Sequence, residues 1–158
     1  AIQSRYPEFP TSALELEITE RGDGIDTAGF QAIVERFHAC GLRLGLDDFG
    51  SQYANLPLFT NVKFDTVKLD RSLIADVASN PINRTLVQDI VRICRTYGID
   101  CVAEGVEPQA QADALLEMDC FHAQGFYYDR PLPAEVFEEK YLRGGASAES
   151  DVKEEKRI

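Results

Sequence analysis

Apolar and polar positions along this chain follow two alternating periods. Leu14–Thr19 reads Leu-Glu-Leu-Glu-Ile-Thr, the period of two that a half-buried strand requires. The next stretch switches period: Phe30, Ile33, Val34 and Phe37 share a helical face, with Asp26 or Thr27 as cap and Gly41 as stop. Leu42–Leu46 predicts a second strand, and Thr66–Leu69 a third after a loop, with Val67 and Leu69 on one side. Asn80-Pro81 opens a long helix with Ile82, Leu86, Ile90 and Cys94 as its stripe and Gly98 as its end. Cys101–Ala103 predicts a short buried strand, and Pro108 starts a helix with Ala112, Leu115 and Leu116 inward. A fifth strand is expected over Ala123–Tyr128 and a last helix over Pro133–Leu142.

Strand starts at Leu14, Leu42, Thr66, Asp100 and Ala123 lie 28, 24, 34 and 23 residues apart, the period of βα units in a parallel sheet. The class is α/β. Periodicity alone leaves two architectures, an open flavodoxin-like sheet or part of a barrel. Residues 1–143 are expected to form the domain. Beyond Gly144-Gly145, residues 144–158 are small, polar and charged, the composition of a disordered tail.

Composition narrows the function classes. The 158 residues are 44% hydrophobic, enough for one core, and no apolar run is long enough to span a membrane. Cys40, Cys94, Cys101 and Cys120 show no close Cys-x-x-Cys pairing and read as reduced thiols. No charged-then-apolar stretch opens the sequence, so the expected location is the cytoplasm, for the chain alone or as the cytoplasmic part of a membrane-anchored protein. The net charge is −11, and only one of those charges falls in residues 149–158. Such a body repels nucleic-acid polymers, which need a basic footprint.

The acids are not scattered. Glu17, Asp47-Asp48 and Glu104 each stand at the C-terminal end of an expected strand, and Lys68 and Asp70 close another. In parallel sheets, that end gathers catalytic groups. Carboxylates brought together repel, and a divalent cation compensates them. Each residue also has a plainer reading. Glu17 suits a solvated strand end, Asp47-Asp48 a loop cap, Lys68 a surface ion pair, and Gln124 a loop position. Asp70 fits anchoring of Arg71 or a loop better than metal contact. His38 and His122 read as ordinary partly buried or surface residues.

Five motifs in order carry a resemblance: Leu-Glu-Leu-Glu-Ile-Thr-Glu, Leu-Asp-Asp-Phe-Gly-Ser-Gln-Tyr-Ala-Asn-Leu, Phe-Asp-Thr-Val-Lys-Leu-Asp-Arg-Ser, Val-Ala-Glu-Gly-Val-Glu and Ala-Gln-Gly-Phe-Tyr-Tyr-Asp-Arg-Pro-Leu-Pro. From about Leu14 to Pro133 the chain resembles the EAL domain, a bacterial family of phosphodiesterases that linearise cyclic di-GMP. Asp-Phe-Gly also occurs in protein kinases, but no other kinase motif accompanies it. The resemblance implies a (β/α)8 barrel that uses Mg²⁺ or Mn²⁺. By position, Glu17 matches a ligand of the first metal, Asp47 the aspartate bridging both, and Asp48 and Glu104 ligands of the second. Lys68 matches the lysine acting on the attacking water or phosphate, and Gln124 a glutamine beside that water. Glu20 matches the glutamate steadying the loop after Asp-Asp-Phe-Gly, and Glu107 an acid behind the ligands.

The chain also departs from the family pattern. The Glu-Ala-Leu signature and the asparagine of the following strand are absent, since Ser12-Ala13-Leu14 leads directly into the Glu17 strand. Roughly 250 residues make an eight-stranded barrel, so about three units are missing and two strand edges are left open. The expectation is a piece of a longer protein, with sensory or GGDEF domains upstream, that self-associates or dimerises through those edges. Gln52 and Ala54 stand where the family has Gly and Ser, which touches turnover and regulation rather than the ligands. Two functions compete: a two-metal hydrolase converting cyclic di-GMP to pGpG, this chain being an inactive fragment of it, and a degenerate domain that binds cyclic di-GMP or a protein without turnover.

Overall fold

The computed structural model describes residues 5–19, 27–51 and 56–143. Glu20, Asp26, the loop substitutions Gln52 and Ala54, and the tail 144–158 lie outside the described residues.

Five parallel strands form one sheet in the order of the sequence: β1 (Glu15–Thr19), β2 (Arg43–Phe49), β3 (Thr66–Leu69), β4 (Asp100–Ala103) and β5 (His122–Ala123). Between them run α1 (Thr27–Ala39), α2 (Leu56–Asn61), α3 (Arg71–Ile74), α4 (Pro81–Tyr97) and α5 (Gln109–Glu117). A doubly wound sheet reverses its strand order at a switch point. No reversal occurs here. The flavodoxin-like alternative is therefore excluded, and sequential neighbours are the arrangement of a barrel arc.

The two faces of the sheet differ in chemistry. Leu44 and Leu46 of β2, Val67 and Leu69 of β3, and Cys101 and Ala103 of β4 are buried. Against them pack Val34 of α1, Val87, Ile90, Val91 and Cys94 of α4, and Ala112, Ala114 and Leu115 of α5. Because strand side chains alternate, the intervening residues face the other way. There Glu15 Oε2 accepts from Arg43 Nε (3.2 Å) and Thr66 Oγ1 (2.6 Å), and Arg43 Nη2 donates to Asp100 Oδ2 at 2.6 Å. This polar layer ties four strands together at their N-terminal ends. Above it, Gly45 keeps the face open: a Cβ there would meet Glu15 Oε1 at 3.0 Å and Glu17 Cγ at 3.6 Å.

Three helical stripes are corrected. On α4, Ile82 is 78% and Leu86 46% exposed, and the inward face is Val87, Ile90, Val91 and Cys94. Ile33 of α1 and Leu116 of α5 are exposed too, with Val34 and Leu115 buried beside them. Both members of each pair are apolar, so helical spacing alone does not rank them. The α4 ends do follow their residues: Asn80 Oδ1 accepts from the Ile82 and Asn83 amides, and Gly98 closes the helix at φ 69°. Cys94, Cys101 and Cys120 are buried thiols and Cys40 is exposed, all of them free.

The fifth strand is shorter than expected. Gln124 N–H still donates to Ala103 O at 2.8 Å, but the chain turns at Gly125, whose carbonyl accepts from Tyr128 N–H. A Cβ at Gly125 would stand 2.1 Å from Val106 O, so this approach needs glycine. Described residues from Asp129 onward belong to a second compact unit. Within it, α6 (Ala134–Phe137) passes into a π-turn over Glu138–Arg143 rather than one helix over Pro133–Leu142. The Glu138–Arg143 ion pair, at 2.8 Å, spans the five-residue step of that wider turn.

Candidate metal and catalytic site

Glu17 lies in β1, at position three of the five-residue strand. Asp47 and Asp48 are consecutive in β2, and simple alternation would send them to opposite faces. A bulge changes this: Leu46 pairs with Val67 and Phe49 with Leu69, so Asp47-Asp48 stand opposite the single residue Lys68. Asp48 takes a left-handed backbone, φ 56°, a conformation that Asp tolerates better than most residues. Carboxylate oxygens of Asp47, Asp48 and Glu104 thereby lie within 4.8 Å of one another.

Lys68, in the middle of β3, joins this cluster to Glu17. Its Nζ is 3.0 Å from Glu17 Oε1, 3.0 Å from Asp47 Oδ1 and 2.8 Å from Glu104 Oε1. The side chain is only 12% exposed. Burial pushes its pKa down, but hydrogen bonds to Glu104, Asp47 and Glu17 outweigh that and hold it above the ordinary value. Burial raises the Glu104 carboxyl; the Lys68 hydrogen bond and charge pull it back, and smaller repulsions from Asp47 and Asp48 leave it above its ordinary value. Gln124 Nε2 donates to Glu104 Oε1 at 2.6 Å from the end of β5.

The donor set suits a hard divalent cation. Four carboxylates against one ammonium leave three negative charges in one corner. Asp47 Oδ1 is buried, and the contact it makes among the described residues is with the Lys68 ammonium at 3.0 Å. A Mg²⁺-sized ion binds oxygens at roughly 2.0–2.1 Å, so carboxylate oxygens within 4.8 Å of one another need only a small side-chain shift to share one.

The other expected residues sit around this corner rather than in it. Asp70 caps α3 by accepting from Ser72 N–H at 2.9 Å. Glu107 pairs with Arg71 Nη2 at 2.8 Å, and the Arg71 stem covers Gly105. Sequence reading passed over this Arg71 contact, although Arg71 directly follows Lys-Leu-Asp. His38 Nε2 contacts Asp65 Oδ2 at 2.8 Å, beside Leu44 near the N-terminal ends of β2 and β3.

The EAL domain family model matches residues 2–131. The chain belongs to the EAL domain family. The cyclic di-GMP phosphodiesterase RocR of Pseudomonas aeruginosa is 33% identical over 138 residues, covering 86% of this EAL chain and 35% of RocR. The EAL domain of Mycobacterium smegmatis DcpA superposes with a TM-score of 0.82 at 31% identity, over 90% of this chain and 64% of that one. Klebsiella pneumoniae BlrP1, solved with manganese and cyclic di-GMP, gives 0.73 at 30% identity, over 78% and 32%. The chain thus spans about a third or less of the curated relatives it matches. Its five strands are an arc of the barrel-like EAL fold, and a divalent metal accompanies cyclic di-GMP in one solved relative. No helix among the described residues is long and apolar enough to cross a membrane.

Proposed function

We propose that this chain carries the C-terminal part of a cyclic di-GMP phosphodiesterase domain that hydrolyses its substrate to pGpG with Mg²⁺ or Mn²⁺. The observation that carries this reading is the meeting of Glu17, Asp47 and Glu104 on Lys68, with Asp48 beside them.

Glu17 and Asp47 would hold a first cation, and Asp47, Asp48 and Glu104 a second, with Asp47 shared. Such ions, when bound, supply Lewis-acid neutralisation of the phosphodiester and an acidified water. The residues do the rest. Lys68 keeps a permanent positive charge where negative charge grows on the phosphate. Gln124 fixes the rotamer of Glu104 and has amide groups left to orient a water. Asp70 and Glu107 hold the β3–α3 and β4–α5 connections that frame the corner, and Glu20 is assigned to the loop after Phe49-Gly50. No Ser-His-Asp or Cys-His pair is invoked.

The outer edges of β1 and β5 pair with no strand among the described residues. Their partners are further βα units, supplied by upstream sequence or by a second copy in a homodimer. The setting is cytoplasmic, with sensory or GGDEF domains as companions. Turnover decides between hydrolase and receptor. The complete protein, incubated with cyclic di-GMP and Mn²⁺, should release pGpG, and Asp47→Asn should abolish it. Tight nucleotide binding with no product would instead assign a receptor.

A further inference from the structure

We propose that Lys68 is a built-in counter-cation that competes with divalent metal for Glu17, Asp47 and Glu104, so that metal loading displaces its ammonium and frees it for substrate. This inference rests on the metal reading above and says how that site fills.

The geometry sets up the competition. One ammonium contacts oxygens of Glu17 in β1, Asp47 in β2 and Glu104 just past β4, at 3.0, 3.0 and 2.8 Å. Glu104 Oε1 receives both Lys68 Nζ at 2.8 Å and Gln124 Nε2 at 2.6 Å. A carboxylate oxygen has two lone pairs, and both are engaged. For Glu104 Oε1 to take a cation, one donor must leave. A cation on Asp47 Oδ1 would likewise stand against the ammonium with little water between them, since the Lys68 side chain is 12% exposed. Gln124 is neutral and suffers no such repulsion. The charged donor is the one driven out, and its four-carbon stem lets it swing. Asp48 makes no ion pair with Lys68, which leaves its carboxylate as the place where a cation first lands.

A merely structural lysine predicts the opposite sign. If Lys68 only held the acids in place, removing it would disperse them and weaken metal binding. If it competes, removing it strengthens binding. The test is Mn²⁺ alone, titrated into this chain and followed by the electron paramagnetic resonance signal of free Mn²⁺. Lys68→Met should bind about tenfold more tightly than wild type, within the usual range of coupling between sites. Its melting temperature should fall without Mn²⁺ and recover with it. Lys68→Arg should stay near wild type. Lys63→Met, which removes an exposed charge elsewhere, should leave affinity unchanged. Equal or weaker binding by Lys68→Met overturns the competition while the metal reading stands. Absence of Mn²⁺ binding in every variant overturns both. A second readout needs no variant: the Lys68 ¹⁵Nζ resonance of wild type should shift during a Mg²⁺ titration with the same midpoint as binding. An ammonium signal that stays still while Mg²⁺ saturates overturns the proposal.

Discussion

Gln124 donates its side-chain amide to Glu104 Oε1 at 2.6 Å, across the last pair of strands in the sheet. The bond shares that oxygen with the Lys68 ammonium and helps hold a carboxylate that Asp47 and Asp48 repel. Groups that orient a metal-binding carboxylate typically carry about 10–100-fold in affinity or activity. Gln124→Ala in the complete protein should lower kcat for cyclic di-GMP by about that factor with KM little changed. Unchanged kcat would mean that Glu104 needs no such support.

Asp48 occupies a left-handed backbone position inside the β2 bulge. Asparagine tolerates that conformation equally well but lacks the charge. Asp48→Asn should therefore keep unfolding free energy in urea within about 0.5 kcal/mol. Mn²⁺ binding should fall severalfold or more. Asp48→Val should destabilise the fold by about 1–3 kcal/mol, because a β-branched side chain is strained at positive φ. Equal stability of the valine variant would show that the bulge relaxes.

The His38–Asp65 pair gives a pH signature remote from the acids. Burial pushes the Asp65 carboxyl up, but the Leu44 amide and the His38 ring, both at 2.8 Å, hold it below its ordinary value. A carboxyl with a depressed folded pKa adds stability above the unfolded value of about 3.9 and loses it as pH falls through the folded one. Asp65→Asn should cost about 1–2 kcal/mol near neutral pH. Urea unfolding should show that difference shrinking below about pH 4. A gap that stays constant in acid would contradict the assignment.

The α4 faces make a direct contrast. Ile90 is 7% exposed and Ile82 78%. Ile90→Ala should cost about 2–5 kcal/mol in chemical unfolding and Ile82→Ala within about 0.5 kcal/mol. The reverse order would restore the stripe through Ile82 and Leu86.

That contrast shows where sequence reading reached and where it stopped. Strand β3 and the caps of α4 were legible to the residue, because Thr66–Leu69 alternates and Asn80-Pro81 and Gly98 have backbone requirements of their own. The side of α4 that packs was not, since apolar residues occur on both sides and only the sheet chooses between them. Short α2, Leu56–Asn61, lay unseen inside a presumed loop because six residues carry no helical period. Glu17, Asp47, Asp48 and Glu104 were legible as acids of the strands, although Glu17 falls at the centre of β1 and Asp47-Asp48 inside β2 rather than at strand ends. The bulge that turns Asp47 and Asp48 the same way was not, because its cause is pairing to β3 rather than any residue type. The Arg43–Glu15–Asp100 layer was missed for the same reason: its members meet only through register.

On the proposed reading, these carboxylates bind divalent ions beside a cyclic dinucleotide. Crystals of the complete protein grown with Mn²⁺ and cyclic di-GMP, measured at the manganese absorption edge, test it most directly. Anomalous peaks within coordinating distance of Asp47, Asp48 and Glu104, one of them shared with Glu17, are the predicted result. A fully occupied nucleotide with no manganese at those oxygens would contradict it.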